Sequence, residues 1–116
     1  MRLKGIGIDL VSVPRMKRFI KEHGAKAVRL LDSRKKSSPK ISVTRLARLF
    51  AAKEAVFKAL GRSWMGMEGF EAIQVQDSPR GTFRVQCPFL PRGAEVSGRF
   101  FSGPDWAGAQ VIIWEP

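Results

Sequence analysis

Two places in this sequence carry side chains able to manage charge. One is Asp9, at the end of the stretch LKGIGIDLV, residues 3–11; the other is AAKEAVFKAL, residues 51–60, which holds Lys53, Glu54 and Lys58. Aspartate is depleted inside strands. A carboxylate at a strand end beside small glycines suits a hard cation such as Mg²⁺, and it equally suits a turn or a helix cap. Glu54 and Lys58 stand at i and i+4 in the favourable order, which on an ordinary helix is a surface pair contributing a few tenths of a kcal/mol. The helical wheel complicates that reading. At about 100° per residue, Lys53 points into the middle of the apolar stripe, Glu54 lies at its edge and Lys58 just beyond. A lysine aimed at a core must snorkel out or find an anion. Asp9 and Glu54 as cation ligands, with Lys53 and Lys58 steadying phosphate, form one chemically coherent set.

These residues need elements to hold them. Residues 3–11 read as a strand, with Ile6, Ile8 and Leu10 on one face and Gly5, Gly7 and Asp9 on the other. The glycines on that second face allow a ligand or another backbone to come close. The pattern GxG here opens no helix at the spacing a dinucleotide fingerprint needs. Ser12 is a candidate cap and Pro14 a first-turn residue for a helix over Val13–His23, which Gly24 stops. A second helical piece covers Ala25–Leu31, and SRKKSSPK, residues 33–40, reads as a basic loop. Thr44 is the expected cap of the main helix, Arg45 to Leu60, with Leu46, Leu49, Phe50, Val56, Phe57 and Leu60 as its apolar stripe and Gly61 as its stop. Strands are expected near Glu71–Gln76, Thr82–Cys87, Ala94–Phe101 and Ala109–Trp114, with turns at DSPRG and SGPDW. One strand, then helices, then antiparallel strands predicts an α+β fold in a single domain over residues 1–116.

Composition narrows the partners. The formal net charge is +11, which implies an acidic partner. The charge is uneven: Pro14 to Lys53 carries 13 Lys or Arg residues against Glu22 and Asp32 alone. No apolar run is long enough to span a bilayer. Asp9 interrupts the apolar start and no small-residue cleavage site follows, so a secretory signal is not expected. The single cysteine, Cys87, cannot pair within the chain or build a cysteine zinc site, and a reducing, cytoplasmic location is the expectation.

Taken together, GIGIDLVSVPRM and RLFAAKEAVFKALG resemble the holo-acyl-carrier-protein synthase family, the small bacterial 4′-phosphopantetheinyl transferases. The resemblance implies a 4′-phosphopantetheinyl transferase-like fold and a Mg²⁺-dependent reaction. Phosphopantetheine moves from coenzyme A to a serine of apo-acyl carrier protein, and 3′,5′-ADP leaves. It further implies that Asp9 and Glu54 hold the metal and, with Lys58, form the catalytic set. Arg48, Lys53, Lys58 and Gly61 would face coenzyme A. Arg15, Arg18 and Lys21 would dock the acidic carrier, and the protein would assemble as a homotrimer with sites between subunits. The sequence departs from the family pattern in four places. The strand segment Ser-His-Thr is absent, and His23 is the only histidine. DSRKKSSPK stands where an FTxxE-like segment is usual, Arg48-Leu49-Phe50 replaces Gly-Arg-Phe, and the hairpin lacks Gly-Lys-Pro.

Two other readings compete with the transferase. One is a relative that binds coenzyme A or carrier without turnover, motivated by the missing histidine. The other is a basic nucleic-acid-binding module, motivated by the charge; no zinc module and no aromatic RNA-binding motif supports it, so no specific nucleic acid is expected.

Overall fold

The computed structural model describes residues 1–32, 42–62 and 66–116. The chain runs β1 (Arg2–Ser12), α1 (Val13–His23), α2 (Ala25–Leu31), α3 (Val43–Leu60), α4 (Gly66–Ala72), β2 (Gln74–Asp77), β3 (Thr82–Gln86), β4 (Glu95–Gly103) and β5 (Trp106–Glu115). The strands form one antiparallel sheet of order β1-β5-β4-β3-β2. The first strand is thus an edge strand paired with the last. The expected α+β class holds, and the basic loop at residues 33–40 lies outside the described residues.

Most helix signals act as expected. Ser12 Oγ accepts from the Arg15 amide at 3.2 Å, Pro14 sits in the first turn of α1, and Gly24 ends it at φ 60°. Gly61 closes α3 in the left-handed region at φ 70°. Two expectations need correcting. The cap of α3 is Ser42, not Thr44: its hydroxyl accepts from the Arg45 amide at 3.2 Å, so the helix begins two residues early. The strand expected from Glu71 is delayed, because α4 runs to Ala72 and β2 begins only at Gln74. The buried Phe70 and Ile73 flank that switch, and Phe70 is the helix's contribution to the core.

The core lies between α3 and one face of the sheet. Ala107, Ala109, Val111 and Ile113 of β5 are fully buried beneath α3, as are Ala51, Ala52, Ala55 and Val56 of the helix. Gly5 and Gly7 of β1 press directly on α3. A Cβ on Gly5 would overlap the Ala59 carbonyl, and one on Gly7 would overlap the Ala55 carbonyl. The register of this contact is set by two repeats. Two strand residues span about 6.6 Å and four helical residues about 6 Å, so steps of two in β1 match steps of four in α3. Among the described residues, no helix covers the opposite face of the sheet. Ile6, Ile8 and Leu10, expected together on one face of the strand, and Leu3 are 49–61 % exposed there beside Trp106 and Trp114.

Lys53 is 2 % exposed and is the largest fully buried side chain among the described residues. Its ammonium donates to the Leu30 carbonyl at 2.8 Å and lies 5.5 Å from the Phe70 ring centroid. Burial pushes its pKa down to about 8, against the opposing pull of Glu71 and Asp32.

The glycine contact gives a direct test. Gly7→Ala places a methyl group against backbone rather than a flexible side chain. It is expected to destabilise the fold by about 2 kcal/mol or more, read as a lower urea midpoint; an unchanged midpoint would show that α3 is free to lift.

Candidate active site

Asp9 sits on the glycine face of β1, two residues beyond Gly7 and opposite Ala109 of β5. Because Gly5 and Gly7 let α3 lie close, the helix brings its charged edge alongside this carboxylate. Side chains on a helix lean toward its N-terminus. Lys58, in the last turn of α3, therefore reaches back along β1. Its ammonium donates to Asp9 Oδ1 at 2.8 Å and to the Ile8 carbonyl at 3.1 Å. The i, i+4 pairing of Glu54 with Lys58 is thus superseded: the ion pair of Lys58 is with Asp9, across the two elements. The Asp9 side chain is 17 % exposed and that of Lys58 52 %.

Glu54 lies on the same edge of α3, about 40° from Lys58 on the wheel. Burial holds its carboxyl above the usual carboxylate range; the Asp9 carboxylate pushes in the same direction and Lys58 in the opposite one. Asp9 and Glu54 thus line one groove and influence each other electrostatically, with Lys58 acting on both. Among the described residues, no group of three or more His, Cys, Asp and Glu is gathered anywhere. A cation here would have two protein carboxylates and would complete its shell from water or phosphate, the pattern in which Mg²⁺ is usually held. The repulsion between the two carboxylates, only partly offset by Lys58, fits such an ion.

The pair opens into a groove of about 500 Å³ between β1, α1 and α3, with Arg15, Met16, Phe19 and Phe50 on its walls. Arg15, expected to dock the carrier, lines this groove. Phe50, expected only as an apolar stripe residue, has this second role as well, together with Met16 and Phe19 of α1. The sequence holds a signal for it: Phe50 precedes Glu54 by one turn, and Phe19 follows Arg15 by one turn, so each shares its neighbour's edge.

Other expected site residues lie elsewhere. Arg18 and Lys21 are exposed on α1 outside the groove walls. Gly61 is the α3 terminator, with open space around it. Lys53 does not enter the groove, because the wheel position that makes it unusual also turns it toward α2 and α4. Arg48 is likewise away from Asp9 and Glu54. It lines a separate cleft of about 360 Å³ with Asp77, Ser78, Phe100, Phe101 and Ser102. His23 ends α1 against Phe19, ring centroids 4.5 Å apart, with its ring half exposed.

The chain is similar to known proteins over most of its length. A family model described as the 4′-phosphopantetheinyl transferase superfamily matches residues 5–111. A holo-[acyl-carrier-protein] synthase of Alkalilimnicola ehrlichii is 40% identical over 82 residues, 66% of this chain, and the match spans 64% of that relative's own length. One from the Wolbachia of Brugia malayi is 39% identical over 96% of this chain and 95% of its own. The crystal structure of the Neisseria meningitidis holo-[acyl-carrier-protein] synthase superposes with a TM-score of 0.76 at 27% identity, covering 97% of this chain and 99% of that one. The Helicobacter pylori synthase in complex with coenzyme A gives 0.74 at 26% identity, covering 94% and 99%.

The carboxylate pair generates a stability expectation. Glu54→Gln removes one of two mutually repelling, partly desolvated charges, so in cation-free buffer its melting temperature is expected to equal or exceed that of the wild type. A calorimetric melt lowered by several degrees would mean that Glu54 is held by favourable partners instead.

Proposed function

This chain belongs to the holo-acyl-carrier-protein synthase family of the 4′-phosphopantetheinyl transferase superfamily, and we propose that it moves 4′-phosphopantetheine from coenzyme A to a serine of apo-acyl carrier protein, releasing 3′,5′-ADP. The observation that carries this reading is the juxtaposition of Asp9 and Glu54 in one groove walled by Arg15 and apolar side chains, with Lys58 paired to Asp9 beside it. In this reading Asp9 and Glu54 hold Mg²⁺, which when bound would neutralise charge on the diphosphate of coenzyme A.

The residues of the chain divide the remaining work. Lys58, already paired with Asp9, has half its side chain open to solvent and would add positive charge for a diphosphate held beside Asp9. A carboxylate of the groove, Asp9 or Glu54, would take the proton of the carrier serine as that oxygen attacks the β-phosphorus. The bond from that phosphorus to the diphosphate bridge breaks, and the leaving 3′,5′-ADP carries the displaced oxygen. Arg15, with Arg18 and Lys21 on the same helix, offers positive charge to an acidic carrier and would speed encounter. Met16, Phe19 and Phe50 exclude water from one side of the groove.

Assembly as a homotrimer has its own support. The outer sheet face exposes Leu3, Ile6, Ile8, Leu10, Trp106 and Trp114 together, and contiguous apolar surface of this kind marks interaction sites. The Arg48 cleft offers a cation, hydroxyls and two aromatic rings, a set that suits a nucleotide. Arg48 would reach coenzyme A from a neighbouring copy. No described helix is long and apolar enough to cross a membrane, and the lone Cys87 fits a reducing, cytoplasmic setting.

Two experiments test these proposals. Mass spectrometry of apo-acyl carrier protein after incubation with the protein, coenzyme A and Mg²⁺ should show addition of phosphopantetheine. Asp9→Ala and Glu54→Ala should each lower the rate by about a thousandfold or more while remaining folded, and removal of Mg²⁺ by chelation should do the same. A carrier whose mass never changes with the wild type defeats the activity for that carrier. For the assembly, sedimentation should give three times the 13.0 kDa chain mass. Ile8→Glu, on the exposed outer face, should shift it toward one chain without lowering helix content; a wild type that sediments as a single chain refutes the trimer.

A further inference from the structure

We propose that Lys53 is a positioning residue: its buried ammonium pins the C-terminal turn of α2 to α3 and so fixes the width of the groove that holds Glu54. The kinetic part of this inference rests on the transferase reading; the mechanical part does not.

Lys53 lies next to Glu54 in α3 but about 100° around the helix, so the two side chains leave one turn in different directions. Glu54 faces the groove. Lys53 faces α2 and α4, where its ammonium donates to the Leu30 carbonyl and stands against the Phe70 ring. Leu30 is in the last turn of α2, where carbonyls have no partner within the helix. A cation at that end also complements the helix dipole. Asp32 and Glu71 add negative charge nearby. Each polar contact therefore comes from an element other than α3, and the residue joins three helices.

Stability alone does not call for a lysine here. An apolar side chain of similar volume could fill the space without burying a charge, and such replacements are often neutral or stabilising. What a methionine would lack is direction. Dispersion contacts let two helices slide, whereas a charge-assisted hydrogen bond of 2.8 Å fixes their separation and relative rotation. The helix it secures has seven residues and is too short to persist by its own hydrogen bonds. That helix packs in turn against α1, which supplies Arg15, Met16 and Phe19 to one wall of the groove, while Phe50 and Glu54 of α3 supply the other. Pinning α2 to α3 therefore sets the distance between the walls. The glycine contact with β1 fixes α3 from below, and Lys53 fixes its neighbours from the far side.

The test is Lys53→Met in the full chain, read in three ways. Amide hydrogen exchange should accelerate about tenfold or more in α2 while amides of β4 and β5 stay unchanged. Mn²⁺ affinity, measured by electron paramagnetic resonance with coenzyme A present, should weaken about tenfold because one carboxylate is no longer held in place. The kcat should fall about tenfold to a hundredfold with the coenzyme A KM altered less than about threefold, at temperatures where the variant is fully folded. Should Lys53→Met fail to fold, Lys53→Gln replaces it with the same expectation. Its amide is shorter and reaches the Leu30 carbonyl only if α3 moves. Unchanged exchange in α2, or wild-type kcat and Mn²⁺ affinity in a folded variant, overturns the proposal. If the wild type itself transfers nothing, the transferase reading fails, and the exchange experiment still decides whether the clamp exists.

Discussion

The close contact between the glycine face of β1 and the backbone of α3 is the constraint on which the site depends. Helix and sheet normally stand apart by the depth of their side chains. Here Gly5 and Gly7 contribute none, and Ala55 and Ala59 contribute methyl groups, so the two backbones nearly touch. Only at that separation can a lysine rooted in α3 reach both a carboxylate and a main-chain carbonyl of the strand. A strand of ordinary residues in the same place would hold Glu54 and Asp9 too far apart to share a ligand.

Closeness creates an electrostatic problem that the protein leaves partly unsolved. Lys58 compensates Asp9, but on Glu54 its pull is outweighed by burial and a like-charged neighbour. Structural ion pairs are usually balanced, and an imbalance at the mouth of a groove is characteristic of sites that complete themselves with a ligand. The two lysines of AAKEAVFKAL thus have separate tasks although little more than one helical turn divides them. Lys58 pairs with Asp9 of β1, while Lys53 is turned inward to α2 and α4, where packing is tight and its partners are a carbonyl and a ring.

The one-sided sheet shows how far apolar pattern alone can mislead. Ile6, Ile8 and Leu10 alternate with glycines as a core-facing strand would, yet they point away from the helices. Alternation identifies two faces; it does not say which one a helix covers. In this chain the helix covers the face with no side chains, because backbone contact there gives the tightest packing, and the apolar face remains for another surface.

The sequence by itself determines a good deal of this protein. The caps Ser12, Gly24 and Gly61, the α+β order, the placing of Asp9 and Glu54 as a candidate carboxylate pair, and the anomaly of Lys53 all follow from residue type and local spacing, because those depend on contacts within a few positions. The sequence misleads where two local preferences compete: Ser42 and Thr44 both make good caps, and FEAIQV carries β-branched residues that mask the end of α4. Which groups meet is decided only by tertiary structure. The pairing of Lys58 with Asp9 rather than Glu54 joins residues 49 positions apart in the chain, and the separation of Arg48 from the carboxylates and the direction taken by Lys53 are long-range outcomes of the same kind. A one-turn spacing fixes a side chain's bearing on its own helix, but the partner waiting at that bearing is supplied by the rest of the fold.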